Sequence, residues 1–258
     1  MRYTRPFGNE RMKGLRCTVP FSDQKIVYSR NEAAISTFTT RVYGWMSIGL
    51  ALTAFIAYMT YRTGAYMALM PFWWVFAFGT FGVALGINAA IQRASVGTVI
   101  ALFLTYSGLE GFFFGTVLPA FAAAYGGQVI WSAFLTGSMI FLMAMFYGMF
   151  TKSNLTSLGK ILQVALMGLM GVTLVFFVIS FFVHLTWMHL FISYLGLAIF
   201  VGLTAYDAQT IRSFSLMAEP NSAVSYKLSL VMALKMYINV IMIFWYLLQI
   251  FSSSNRKG

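Results

Sequence analysis

Three ionisable side chains stand inside apolar stretches where charge is costly: Glu110, Asp207 and Lys235, with Asn239 and Asn88 as uncharged companions. Intramembrane carboxylates are the chemistry of proton and cation binding, and a neighbouring lysine or amide sets which form of the acid is held. Lys235 and Asn239 are four residues apart in Leu234-Lys235-Met236-Tyr237-Ile238-Asn239, so a helix presents both on one face. Asp207 lies in Thr204-Ala205-Tyr206-Asp207-Ala208-Gln209-Thr210. Glu110 lies in Ser107-Gly108-Leu109-Glu110-Gly111, among small residues that let helices approach closely or border a polar pathway. Arg93, in Ile91-Gln92-Arg93-Ala94-Ser95, is a cation at the end of another apolar run. Structural alternatives stay open: a hydrogen-bonded protonated Glu110, a hydrated Asp207 near a helix end, and a Lys235 that snorkels to the surface.

The elements that must hold these residues are membrane helices. Of 258 residues, 60% are hydrophobic and 9% charged, and the mean hydropathy is +0.78. Soluble domains carry roughly a quarter charged residues, so an ordinary soluble enzyme is excluded. A span needs about 20 apolar residues, and seven runs qualify: Phe38–Tyr61, Ala68–Ile91, Val96–Phe121, Gly126–Phe150, Leu158–Val183, Trp187–Ile211 and Leu228–Phe251. They are too long for barrel strands and do not alternate with period two. The reading is all-α: a polar basic tail over 1–37, a seven-helix membrane domain over 38–251, and a short tail over 252–258. The longest connection is Arg212–Lys227, with the turn signal Glu219-Pro220-Asn221.

On this register Glu110 lies about 21 Å into its run, near midplane. Asp207 lies four residues before the inner end of its run, about 6 Å deep. A carboxylate is the wrong sign for a helix C-terminus, so a compensating partner is expected. Lys235 and Asn239 lie about 10 and 16 Å in, which offers Lys235 as that partner.

The net charge of +11 sits at the ends of runs and in the tail, with seven of seventeen basic residues in the first 35. That pattern orients a membrane protein and touches anionic headgroups; nucleic-acid binding would need a basic face on a soluble module. With the amino terminus inside, thirteen Lys and Arg fall on the inner side against three outside, so the carboxyl terminus is expected outside. Cys17 is the single cysteine, which rules out an intrachain disulfide and a thiolate cage. Met139, Met143, Met145 and Met149 have partly helical spacing and raise a Cu(I) reading, against their common use as core filler. His184 and His189 lack companions for zinc. Intramembrane proteolysis would need a second carboxylate beside Asp207 or a placed base. No enzyme activity and no cofactor are expected.

Three stretches carry a family likeness. Gly196–Ile211 with its Tyr206-Asp207-Ala208-Gln209 core, Ala233–Phe244, and Leu109-Glu110-Gly111-Phe112-Phe113-Phe114-Gly115 resemble spans six, seven and three of the Bax inhibitor-1 family, in its bacterial type. The likeness runs from about Phe38 to Phe251. It implies a seven-helix fold with the last helix central, in a bacterial inner membrane. It also implies a pH-sensitive calcium leak, or a cytoprotective regulator of membrane proteases or of cell-death and stress machinery. In calcium-leaking members, two aspartates on spans six and seven share a proton and gate the pore. Asp207 matches the first of these, and Asn239 stands at the second. Arg93 matches a basic position that could latch Asp207. An amide cannot titrate, so the dyad switch is expected to be missing or altered. Only Glu110 and Asp207 are intramembrane acids, too few for the six to eight oxygens of a tight calcium site. A low-affinity pathway lined by water and carbonyl oxygens is the corresponding expectation.

Overall fold

The computed structural model describes residues 21–90, 94–179, 186–217 and 222–255, with side chains at most positions from 37 onward. Arg93, His184, the Glu219-Pro220-Asn221 signal, Arg256 and Lys257 lie outside the described residues, as does the side chain of Asn88. The elements are α1 (Phe21–Arg62), α2 (Ala65–Leu69), a 3-10 turn (Met70–Phe72), α3 (Trp73–Ala90), α4 (Val96–Tyr125), α5 (Gly127–Phe150), α6 (Thr156–Ile179), α7 (Thr186–Met217) and α8 (Ala223–Asn255). Among the described residues, seven segments are long and apolar enough to cross a membrane, the second being the composite of α2, the turn and the start of α3. Apolar sequence on every face forces helices, because in lipid each N–H and C=O must find its partner within the segment.

The connections follow from local chemistry. Ser95 caps α4 by accepting from the Thr98 backbone N–H at 3.2 Å. Gly64 (φ 71°) starts α2, and Gly126 (φ 85°) alone separates α4 from α5. Both sit in the left-handed region, where a Cβ would be strained. Pro71 interrupts the second span in the first turn of the 3-10 segment, where its missing N–H is harmless.

The last helix is the core of the bundle. In α8, 61% of the most apolar stretch is buried inside the protein, against 6–44% in the other six spans. It packs against α1, α4, α5 and α7, while α3 leans on α4 and α6 on α7 at the periphery. Tyr237, Met236, Ile243 and Leu248 of α8 are fully buried. Outer faces of α5 and α6 expose Met139, Met143, Phe150, Val164 and Met167, as lipid contact requires.

Several boundaries move from the expected ones. Helix α1 begins at Phe21, so residues 21–37 of the expected tail continue the first span outward. Helices α7 and α8 run to Met217 and from Ala223, which turns most of the expected Arg212–Lys227 connection into helix. Residues 252–255 are helical as well. These extensions are polar, so a hydropathy reading stops short of them. They also relocate Asp207: it stands ten residues before the end of α7, about 15 Å from it. End effects of the helix dipole fade within one turn. The expected clash between Asp207 and a helix C-terminus therefore does not arise.

Candidate functional site

Asp207 and Asn239 meet in the core. Asn239 Nδ2 donates to Asp207 Oδ2 at 2.8 Å, joining α7 to α8, and both side chains are buried, 5% and 3% exposed. An amide N–H needs only an acceptor oxygen, which a carboxyl group offers with or without its own proton, so this bond requires no shared proton. Lys235, half-buried one turn earlier on α8, acts on Asp207 electrostatically; the hydrogen bond belongs to Asn239. The direct Asp207–Lys235 pairing that the spacing allowed is thus replaced by a through-space interaction.

Each member of the Tyr-Asp-x-Gln core serves a different neighbour. The Tyr206 ring fills the space above Gly159 of α6, where a Cβ would collide with it. Asp207 binds α8. Gln209 grips the α5–α6 loop with both ends of its amide, donating to the Ser153 carbonyl at 2.7 Å and accepting from the Leu155 N–H at 2.9 Å. Arg212 adds a bond to the Met149 carbonyl at 2.9 Å. Next to Asp207, α5 approaches α7 so closely that a Cβ on Gly148 would run into the Ala205 carbonyl. The carboxylate is therefore held by helices fixed to within a hydrogen bond on three sides.

Glu110 belongs to a second buried cluster, between α1, α4 and α8. Tyr106 donates to its Oε1 at 3.1 Å. Tyr237 stacks edge-on against Tyr106, with ring centroids 5.6 Å apart. The Tyr237 hydroxyl is 2.6 Å from that of Thr53, which in turn reaches the carbonyls of Gly49 and Ser107 at 3.0 and 2.9 Å. With the single Thr53 proton directed at a carbonyl, Tyr237 is the donor of that pair. Glycines make the cluster possible. A Cβ on Gly111 would stand 2.7 Å from Ile56 Cβ, and one on Gly115 would stand 2.7 Å from Thr60 Cβ. The two clusters meet on α8, where Tyr237 faces α1 and α4 and Asn239 faces α7.

Of the five residues singled out from the sequence, Asp207, Asn239 and Lys235 thus form one group and Glu110 another. Tyr106, Tyr237, Thr53 and the clamp role of Gln209 were not foreseen. Hydroxyl-bearing residues are ordinary in apolar helices, and only three-dimensional adjacency distinguishes these. The methionine stripe is divided. Met139 and Met143 are exposed, whereas Met145 and Met149 pack inward, with the Tyr43 hydroxyl on Met149 Sδ at 3.6 Å. His189 packs edge-on against Phe176. Among the described residues no group of three or more His, Cys, Asp or Glu is placed to hold a metal.

Residues 35–256 match the sequence pattern of the family described as "Inhibitor of apoptosis-promoting Bax1". A Chlamydia muridarum protein is 52% identical over 230 residues, covering 89% of this chain and 97% of the relative. The "Inner membrane protein YbhL" of Escherichia coli K12 is 33% identical over 230 residues, 87% and 94% of the two chains. A Borreliella burgdorferi protein is 33% identical over 217 residues, 82% and 90%.

Proposed function

As the chain belongs to the Bax inhibitor-1 family, we propose that it is a weakly conducting cation leak, with calcium as a permeant ion, whose gate is the Asp207–Asn239 pair. One observation carries the reading: the position where the family likeness implies a second aspartate holds an amide bonded to Asp207 at 2.8 Å. Two carboxylic groups this close need a shared proton and come apart when it is lost. The amide-to-carboxylate bond needs none, so the gate stays latched across the range in which a dyad would open. The leak is low, and its response to pH is altered from that of a dyad. Glu110 and Lys235 are further polar groups of the pathway, and Arg93 is a second latch for Asp207.

The membrane is a bacterial inner membrane, in line with the name of the Escherichia coli relative. The amino terminus is cytoplasmic and the carboxyl terminus outside, on the basic-residue asymmetry. The test is calcium flux into dye-loaded proteoliposomes between about pH 6 and pH 8. Wild type is run beside Asp207→Asn and Asn239→Asp. Asn239→Asp should make the flux steeply pH-dependent. Protein shown to be folded that passes no more calcium than empty vesicles would refute conduction. A second reading would then take over, that of a non-conducting regulator of membrane proteases or stress machinery. The seven basic residues among the first 35 favour it, as a surface for a partner or for lipid.

A further inference from the structure

Helix α5 carries Gln128, Ser132 and Thr136 at intervals of four, one polar stripe on a largely apolar span. The stripe faces Phe251 and Ser254 at the end of α8 across a cavity of about 500 Å³. Gln128 and Ser254 are exposed at its mouth, and Ser132 and Thr136 are half-buried deeper in. Among the described residues, none of these four polar side chains has a hydrogen-bond partner in the protein. By contrast, Ser107, Thr204 and Thr210 each bond back to a carbonyl of their own helix. A free hydroxyl in hydrocarbon costs a few kcal/mol, so a stripe of them calls for water. The volume holds more than ten waters at roughly 30 Å³ each.

Beyond Thr136, which lines the cavity, the α5–α8 contact is apolar. Gly137, one residue beyond Thr136, brings α5 onto α8, so that a Cβ there would meet Leu247 at 3.3 Å and Ile243 at 3.7 Å. Asn239, Ile243 and Leu247 are spaced by four along the same face of α8. Two helical turns, about 12 Å, therefore separate Leu247 from the Asp207–Asn239 pair. Along that stretch Phe141, Ala144, Ile243 and Leu247 are all buried.

We propose that the α5–α8 cavity is a water-filled vestibule, opening on the side of the membrane opposite the N-terminal segment, through which a hydrated cation reaches an apolar seal above the Asp207–Asn239 pair. As an ion inlet it rests on the leak reading; as a hydrated site it rests on the geometry alone. Single cysteines at Ser132, Thr136, Ile243 and Met139 are introduced with Cys17→Ser, in protein held in phospholipid nanodiscs that leave both faces reachable. The probe is a quaternary-ammonium methanethiosulfonate, which reacts only with a thiolate in water. Met139 lies three residues beyond Thr136 but faces outward, so it reports lipid at nearly the same depth. Ser132→Cys and Thr136→Cys should react at least about tenfold faster than Met139→Cys and Ile243→Cys. Equal slowness at Thr136→Cys and Met139→Cys would overturn the vestibule and assign the groove to lipid. The cationic adduct at Thr136→Cys should also cut calcium flux in proteoliposomes severalfold. Full flux through labelled protein would overturn the inlet. Wild type that passes no calcium while Thr136→Cys still reacts fast would instead refute the leak reading and leave the hydrated vestibule standing.

Discussion

The Asp207–Asn239 bond is one buried hydrogen bond to a carboxyl oxygen, and such bonds contribute about 0.5–3 kcal/mol in proteins, most where the acceptor is charged. Removing its donor costs more than removing its charge. Asn239→Ala strands a buried carboxylate and should lower the stability of the detergent-solubilised protein by about 1–3 kcal/mol. Asp207→Asn keeps an acceptor oxygen in place and should stay closer to wild type. Thermal unfolding of the two variants side by side checks the order, and the reverse order would mean that Lys235 rather than Asn239 holds Asp207. Asp207 and Asn239 were readable in the sequence because charge and amide are rare in spans. Their partnership came from the family likeness, which sets Asn239 where a second aspartate would meet Asp207, and not from the span register, since span ends set by hydropathy misplaced Asp207 relative to the end of α7 by six residues. Tyr237 was invisible for another reason: nothing in its type separates it from the other thirteen tyrosines.

Between helices the tightest contacts are made at glycines, where one backbone meets a neighbouring helix's side chain or carbonyl. Gly111, Gly115 and Gly148 are crowded by Ile56, Thr60 and the Ala205 carbonyl, whereas Gly44 and Gly168 have no neighbour within 4 Å of an added Cβ. Gly111→Ala and Gly148→Ala should each destabilise by about 1–3 kcal/mol through overpacking, with Gly148 the worse because a carbonyl cannot step aside. Gly168→Ala should be neutral or gain up to about 1 kcal/mol from helix propensity. A melting series in one detergent separates the two groups. All these glycines look alike in sequence, since their meaning depends on which helix lies opposite. The Gln209 clamp gives a second check at this scale. Gln209→Ala releases the Leu155 N–H and the Ser153 carbonyl, so hydrogen exchange should quicken at Leu155 and leave α8 unchanged. An unaltered rate at Leu155 would show that Arg212 alone suffices to hold the loop.

At the scale of the whole molecule, seven apolar runs could be counted from the sequence because a span must be about 20 residues long. The central position of α8 could not be derived from those runs. Nearly all of them are apolar on every face, so periodicity does not say which faces meet protein and which meet lipid. Family likeness supplied the expectation, and the burial of α8 bears it out. An odd number of spans places the two ends of the chain on opposite sides. Alkaline phosphatase joined after Gly258 should be active in a bacterial host, and the same enzyme joined after Arg93 should be inactive. Activity at Arg93 with silence at Gly258 would invert the basic-residue assignment.

A bundle whose axis is its last helix is also a statement about time. The ribosome delivers α8 after the other six spans are already in the bilayer, so until synthesis ends the chain carries an open slot. Through that interval Asp207 has no amide to bind, and Tyr106 and Thr53 have no Tyr237 beside them. A chain that stalls or loses its final 36 residues, from Ala223 onward, presents unpaired polar groups to lipid. The same polar contacts that lock the finished protein are thus missing from every unfinished copy.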